Sequence, residues 1–293
     1  MKMHDGEVDI DVELVGRLVA AQFPHLADVP VREVRSTGTV NAIYRLGDHL
    51  CVRLPRVAEW ADGLERECAW LPKLAPLLTL RIPTPVVTGR PGHAYPFSWA
   101  IYEWISGRPY ADDLVDDERR AARGLARFVA ELRGMDRTGA PPTGRAPLRE
   151  LDGVTRDAIA GATGVVDGAA TTAAWERALA APVWDGAPVW IHTDLLRPNL
   201  LVDGGRLCAV IDFGAVGIGD PAADVAAAWN VFGEVGRPVY RATLDVDDGT
   251  WERARGYALH QAVMLIPYYR ETNPGLARLG ARTIAEVLAD NST

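Results

Sequence analysis

The sequence predicts an α+β fold with a small β-rich N-terminal part, residues 1–105, and a larger, mainly helical C-terminal part, residues 106–293. Three observations predict it. Short β-rich runs crowd residues 30–54 and return before residue 105, with one helical stretch between them. After Ser106-Gly107-Arg108-Pro109 the apolar spacing becomes helical and stays so for most of the remaining chain. A length of 293 residues suits about two domains. The order is not the regular βαβα alternation of a doubly wound parallel sheet.

Each element has its own warrant. Val8, Val12, Val15 and Val19 recur near helical spacing, so the first 22 residues predict an amphipathic helix. VPVREVRS, VNAIYRLG and HLCVRLP are strand-like, separated by the turn signals Thr37-Gly38-Thr39 and Gly47-Asp48. Residues 59–78 read as a helix ending near Pro76, and IPTPVVTG and YPFSWAIYEWISG as two further strands. Residues 113–134 are helical, RTGAPPTGRAPL is a loop, and the Ala- and Gly-rich residues 157–180 carry a weak helical pattern. Helices follow at 221–232, 250–266 and 275–289; Asp220-Pro221 supplies an N-cap and a proline at the first helical position. The hinge falls near Glu103–Gly107.

Composition removes several classes. Hydrophobic and charged fractions of 48% and 24% exclude wholesale disorder. No apolar run approaches the roughly 18 residues of a spanning helix, so no membrane partner is expected. MKMHDGEVDIDVELV lacks the apolar core of a secretory signal, and a cytoplasmic location is expected. Cys51, Cys68 and Cys208 are too few and scattered for a disulfide framework or a zinc site. A net charge of −8 argues against nucleic acid and suits a cationic small molecule. No G-x-x-x-x-G-K-[ST], G-x-S-x-G or H-E-x-x-H occurs. Gly217-x-Gly219-x-x-Ala222 mimics a dinucleotide fingerprint but does not open an alternating sheet.

The chemistry concentrates in VWIHTDLLRPNLLVDGGRLCAVIDFGAVGIGDPAAD, residues 189–224. Asp194 follows a strand-like run and Asn199 precedes another; a third strand after Gly204-Gly205 ends at Asp212. The pattern gathers two carboxylates and an amide oxygen. Hard oxygen donors of this kind suit Mg²⁺ together with substrate phosphates.

His192-Thr193-Asp194-Leu195-Leu196-Arg197-Pro198-Asn199 has the spacing H-x-D-x-x-x-x-N, and Asp212-Phe213-Gly214 reads as D-F-G. With Gly219-Asp220-Pro221-x-x-Asp224, the sequence resembles the aminoglycoside phosphotransferase family, antibiotic kinases of protein-kinase-like bilobal fold. The resemblance implies that Asp194 takes or orients the acceptor hydroxyl proton, that Asn199 and Asp212 hold Mg²⁺, and that ATP or GTP is the donor. By order along the chain it places Thr37, Gly38 and Thr39 in the nucleotide loop and Arg53 where protein kinases carry a phosphate-binding lysine. Glu67 becomes the ion-pair partner of Arg53, with Glu65 as rival, and backbone groups of Glu103 and Trp104 face the purine. This makes residues 1–105 the nucleotide-binding lobe and residues 106–293 the catalytic and substrate-binding lobe. Thr193 departs from the family's common glycine, and Leu196-Arg197-Pro198 from its usual His-Pro-Gly.

The implied function is transfer of a γ-phosphoryl group to a hydroxyl of an antibiotic, foremost an aminoglycoside, by a monomer or homodimer. Two alternatives stand beside it. One keeps the chemistry with a nucleoside, macrolide or peptide antibiotic, or a metabolite such as choline or homoserine. The other is a kinase-like binding module without turnover. His192 and Asp224 read as structural, the second bonding backbone near the catalytic loop; Trp229 and Trp251 read as packing. Substrate contacts are expected from the C-terminal helices, whose acids Glu234, Asp245, Asp247, Asp248 and Glu271 could meet ammonium groups; each alone reads as a solvated surface charge.

Overall fold

The computed structural model describes residues 6–34 and 40–290. The chain divides into two compact units: one runs to Ser106 and takes in Ala209–Gly214, the other comprises Gly107–Cys208 and the chain from Ala215. The sequence expectation put the boundary at 105/106 and left Ala209–Gly214 with the C-terminal part. That segment joins the first unit because Val210 N–H donates to Arg81 O and Phe213 N–H to Glu67.

In the first unit, α1 (Val12–Gln22) is capped by Asp11 Oδ1, which accepts from Leu14 N–H. It buries Leu14, Val15, Leu18 and Val19 against Val52, Leu54, Trp99 and Ile101; each such side chain contributes about 1.5–3 kcal/mol. The sheet contains β1 (Val31–Glu33), β2 (Asn41–Leu46), β3 (Leu50–Pro55), β4 (Pro85–Gly89) and β5 (Trp99–Glu103), in the order β1-β2-β3-β5-β4, all antiparallel. A Cβ at Gly89 would overlap the Trp99 ring, so the glycine makes room for the largest core residue of β5. Between β3 and β4, α2 (Ala61–Leu74) buries Leu64, Glu67, Leu71 and Leu74. Gly63 lets α2 approach closely: a Cβ there would lie 3.2 Å from Gly214 O. Residues 35–39, including the expected nucleotide-loop positions Thr37, Gly38 and Thr39, lie outside the described residues.

The second unit begins with β6 (Arg108–Pro109) and α3 (Glu118–Arg133), capped by Asp117. The weak pattern at 157–180 is two helices, α4 (Asp152–Gly161) and α5 (Gly168–Ala180), separated at Gly164 with φ +83°. β7 (Val189–Ile191) pairs with β10 (Gly217–Gly219), while β8 (Leu200–Asp203) lies between β6 and β9 (Arg206–Val210), whose last two residues belong to the first unit. Gly204 and Gly205, with φ of +52° and +75°, make the two-residue turn from β8 to β9, a backbone that favours glycine. The expected helix at 221–232 is two short ones, α6 (Ala222–Val225) and α7 (Ala227–Asn230). α8 (Arg237–Leu244), unforeseen, precedes α9 (Asp248–Tyr269) and α10 (Pro274–Ala289). α9 is buried on nearly every side and touches α4, α5, α6, α7 and α10. Trp229 and Trp251 are buried packing residues, their ring centroids 4.5 Å apart. No helix of the described residues is long and apolar enough to cross a membrane.

His260 of α9 is buried and shares a 2.8 Å hydrogen bond between Nδ1 and Thr155 Oγ1. Burial, aided by the Arg145 charge, pushes its pKa down from 6.5 to about 4. Between those values the unfolded chain binds the proton and the folded chain does not, so folding stability falls as pH drops from 6.5 towards 4. The loss attributable to His260 is on the order of 3 kcal/mol. Unfolding free energies measured across that range are expected to fall less steeply in His260→Gln than in the parent; parallel curves would remove His260 as the cause.

Candidate active site

In the first unit, the alternation of β3 turns Arg53 to the face covered by α2. Its Nη1 lies 2.6 Å from Glu67 Oε2, with both side chains buried. Tyr102 of β5 donates its hydroxyl to the same oxygen at 2.8 Å, and Phe213 N–H donates to Oε1 at 3.0 Å. Glu67 is therefore the residue paired with Arg53. Glu65 instead accepts from Ser98 Oγ at the surface. Burial opposes the charge on Arg53, but the Glu67 carboxylate outweighs it and holds the guanidinium's pKa above its usual range. Desolvation likewise pushes the buried Cys51 thiol up to about 11.

Asp212 completes this cluster. Its Oδ1 lies 3.7 Å from Arg53 Nη2 and its side chain is 34% exposed. Asp212 has φ +68°, a left-handed conformation in which aspartate is among the better-tolerated residues. Arg53, Glu67 and Asp212 thus form one network, tied through Phe213 N–H to the backbone of the D-F-G segment. The hinge amides are engaged within the fold. Glu103 N–H donates to Thr84 O and Trp104 N–H to His49 O, so neither amide is left as a donor for a purine. The Trp104 ring lies under Arg45, whose Cζ is 4.3 Å from its centroid.

In the second unit, the loop between β7 and β8 carries Asp194 and Asn199. Its shape depends on Asp224 of α6, a fully buried carboxylate. Asp224 accepts His192 N–H at 2.8 and 3.1 Å and Thr193 N–H at 2.8 Å. Thr193 has φ +76°, costly for a β-branched residue, and Arg145 Nη2 donates to its carbonyl at 2.7 Å. His192 Nδ1 accepts Asp194 N–H at 3.2 Å, which makes the histidine a brace for the loop. Arg197 anchors the loop's far side: Nε donates to Val231 O, and the two Nη atoms fork onto Asp112 at 2.9 and 2.7 Å.

Asn199 Nδ2 donates to Asp194 O at 2.9 Å and to Asp194 Oδ2 at 2.7 Å, so its amide oxygen is the end of the side chain that remains to meet a cation. Gln261 Nε2 donates to Asp194 Oδ1 at 2.5 Å. Asp220, expected as an N-cap, accepts Ala222 N–H and a forked pair from Arg253. Gln261, Arg145 and Tyr102 escaped the sequence reading, since each meets its partner across more than 30 residues. An isolated polar residue in a helix or strand gives no local signal of such a contact.

Residues 32–257 match the sequence model of the phosphotransferase enzyme family. Viomycin phosphotransferase from Streptomyces vinaceus is 32% identical over 241 residues, covering 74% of this chain and 82% of that protein. YcbJ, an uncharacterised protein of Bacillus subtilis (strain 168), is 28% identical over 202 residues; the match spans 62% of this chain and 63% of YcbJ. Among solved structures, the GDP complex of aminoglycoside 2'-phosphotransferase-IIIa superimposes with a TM-score of 0.76 at 21% identity, covering 97% of this chain and all of that one. Macrolide 2'-phosphotransferase type I gives 0.64 at 20% identity, covering 94% and 98%. These likenesses establish an α+β, kinase-like fold.

Removing Glu67 leaves the buried Arg53 guanidinium without its closest counter-charge, a loss of about 3–5 kcal/mol. Glu67→Ala is expected to shift the denaturant midpoint accordingly, and Arg53→Met in that background to recover part of the loss. A midpoint change worth less than about 1 kcal/mol would show the pair to be dispensable.

Proposed function

The chain belongs to the phosphotransferase enzyme family, and we propose that it moves the γ-phosphoryl group of a nucleoside triphosphate to a hydroxyl of an antibiotic, inactivating it. The observation that carries this reading is the fixed Asp194 carboxylate, held by Asn199 within a loop clamped by Asp224. In this reading Asp194 takes the proton of the acceptor hydroxyl. The hydroxyl oxygen forms the new bond to phosphorus, the bridging P–O bond breaks, and its electrons leave with the nucleoside diphosphate.

Each of two donors suits Mg²⁺ by its chemistry. Asp212 offers a partly exposed carboxylate and Asn199 an amide oxygen, both hard donors. These two residues would hold the ion, which would neutralise phosphate charge. Arg53 Nη2, beside Asp212, is the proposed contact for phosphate oxygens; Nη1 is occupied by Glu67. With both hinge amides engaged, recognition of the purine falls to the carbonyl side of Glu103–Trp104 or to neighbouring groups.

Fold likeness brings aminoglycosides and macrolides forward as acceptors. The sequence relative at 32% identity brings viomycin forward beside them. A cytoplasmic site of action, where triphosphate is at hand, belongs to the same proposal. Mass spectrometry of an acceptor panel incubated with protein, Mg²⁺ and ATP or GTP is expected to show one antibiotic gaining a single phosphoryl mass. Asp194→Asn is expected to lower that rate by about 10²–10⁴ while a nucleotide-dependent rise in melting temperature persists. Nucleotide binding with no transfer to any acceptor would favour a binding module without turnover.

A further inference from the structure

We propose that Gln261 is the positioning residue of the Asp194 carboxylate, fixing the oxygen that receives the acceptor's proton. The proposal rests on the phosphotransfer reading above. Gln261 stands on α9, 67 residues beyond the loop it serves, and its Nε2 reaches Asp194 Oδ1 at 2.5 Å. Its Oε1 accepts from Asn230 Nδ2 at 3.0 Å, and Asn230 is itself buried. Asn199 Nδ2 holds the other carboxylate oxygen at 2.7 Å.

This row of amides has one consistent direction. Reversing Gln261 sets its oxygen against a carboxylate oxygen. Reversing Asn230 sets its oxygen against that of Gln261. The base is therefore gripped on both oxygens by donors whose own orientation is set from behind. A carboxylate has about four acceptor directions; the two amides fix two of them and with them the plane of the group. This does not need Gln261 to touch the nucleotide.

The test uses the full-length protein and two variants. Gln261→Met keeps the bulk and removes the donor; Gln261→Glu keeps the shape and sets a second carboxylate against the first. Crystal structures of the parent and both variants without substrates would follow the plane of the Asp194 carboxylate, and steady-state kinetics would follow transfer. In both variants the carboxylate is expected to leave the parent's plane, further in Gln261→Glu. kcat is expected to fall about tenfold while KM for the triphosphate stays within twofold. If Gln261→Met does not fold, Gln261→Glu carries the same readouts. An unmoved Asp194 carboxylate in a folded variant would overturn the role of Gln261, whatever the parent does with a triphosphate. A displaced carboxylate in a protein that transfers to no acceptor would uphold the positioning and overturn the phosphotransfer reading alone.

Discussion

The loop that bears Asp194 exists in its present shape because a buried carboxylate holds its backbone. Asp224 has no exposed surface, and an ionised group in that position requires hydrogen bonds to replace water. It finds them in the amides of His192 and Thr193. Those bonds force the chain through a positive φ at Thr193 and turn Asp194 away from the strand it follows. Tyr240 of α8 donates its hydroxyl to Asp224 O, so the clamp is itself tied to the helical core. The strain at Thr193, on the order of 1–3 kcal/mol, persists because the clamp over-determines the turn and Arg145 holds the carbonyl on the other side.

The first unit uses the same device with different residues. Glu67 is also buried, and one of its oxygens also takes a backbone amide, that of Phe213. The other takes Arg53 and Tyr102. In each unit a carboxylate distant in sequence fixes the backbone beside the aspartate of interest, Asp194 in one and Asp212 in the other. Both aspartates sit next to a backbone torsion that a side chain rarely adopts, at Thr193 and at Asp212 itself. Dedicating a buried charge to hold a loop is expensive in desolvation, and stability alone gives weak reason to keep one. The fixed geometry that the proposed phosphoryl transfer requires gives a better one.

What was legible in the sequence was what lies close together along it. The spacing of Asp194, Asn199 and Asp212, the Gly204-Gly205 turn and the Asp220-Pro221 helix start are local facts, written within 36 residues. Asp224 was legible as a structural acid for the same reason. The strands of the first unit showed through their alternation and turn residues. Less was legible where helices are short or small-residue-rich. α8 has only eight residues, with Pro238 in its first turn, and its short apolar pattern passed for loop. Residues 157–180 blurred into one weak helix because alanines fit buried and exposed positions equally well. The hinge reading missed that its amides were spent, since the partners Thr84 and His49 lie in other segments. Gln261 was invisible for a deeper reason: its value depends wholly on which side chain faces it.

In the proposed reading, an amide rather than a cation against Asp194 follows from what a base must do. An arginine at position 261 would orient the carboxylate just as firmly and give a stronger, charge-assisted bond. It would also draw the carboxyl's pKa down by about 1–3 units and weaken it as a proton acceptor. A neutral amide fixes direction at a smaller cost in basicity. The cation of this chain instead stands beside Asp212, as Arg53, next to the oxygen donor proposed to meet a metal. In the proposed reading Asp212 meets the metal and has no proton to accept. The two aspartates thus have different neighbours, amides at Asp194 and a guanidinium at Asp212, which suit the proposed tasks of proton acceptor and metal ligand.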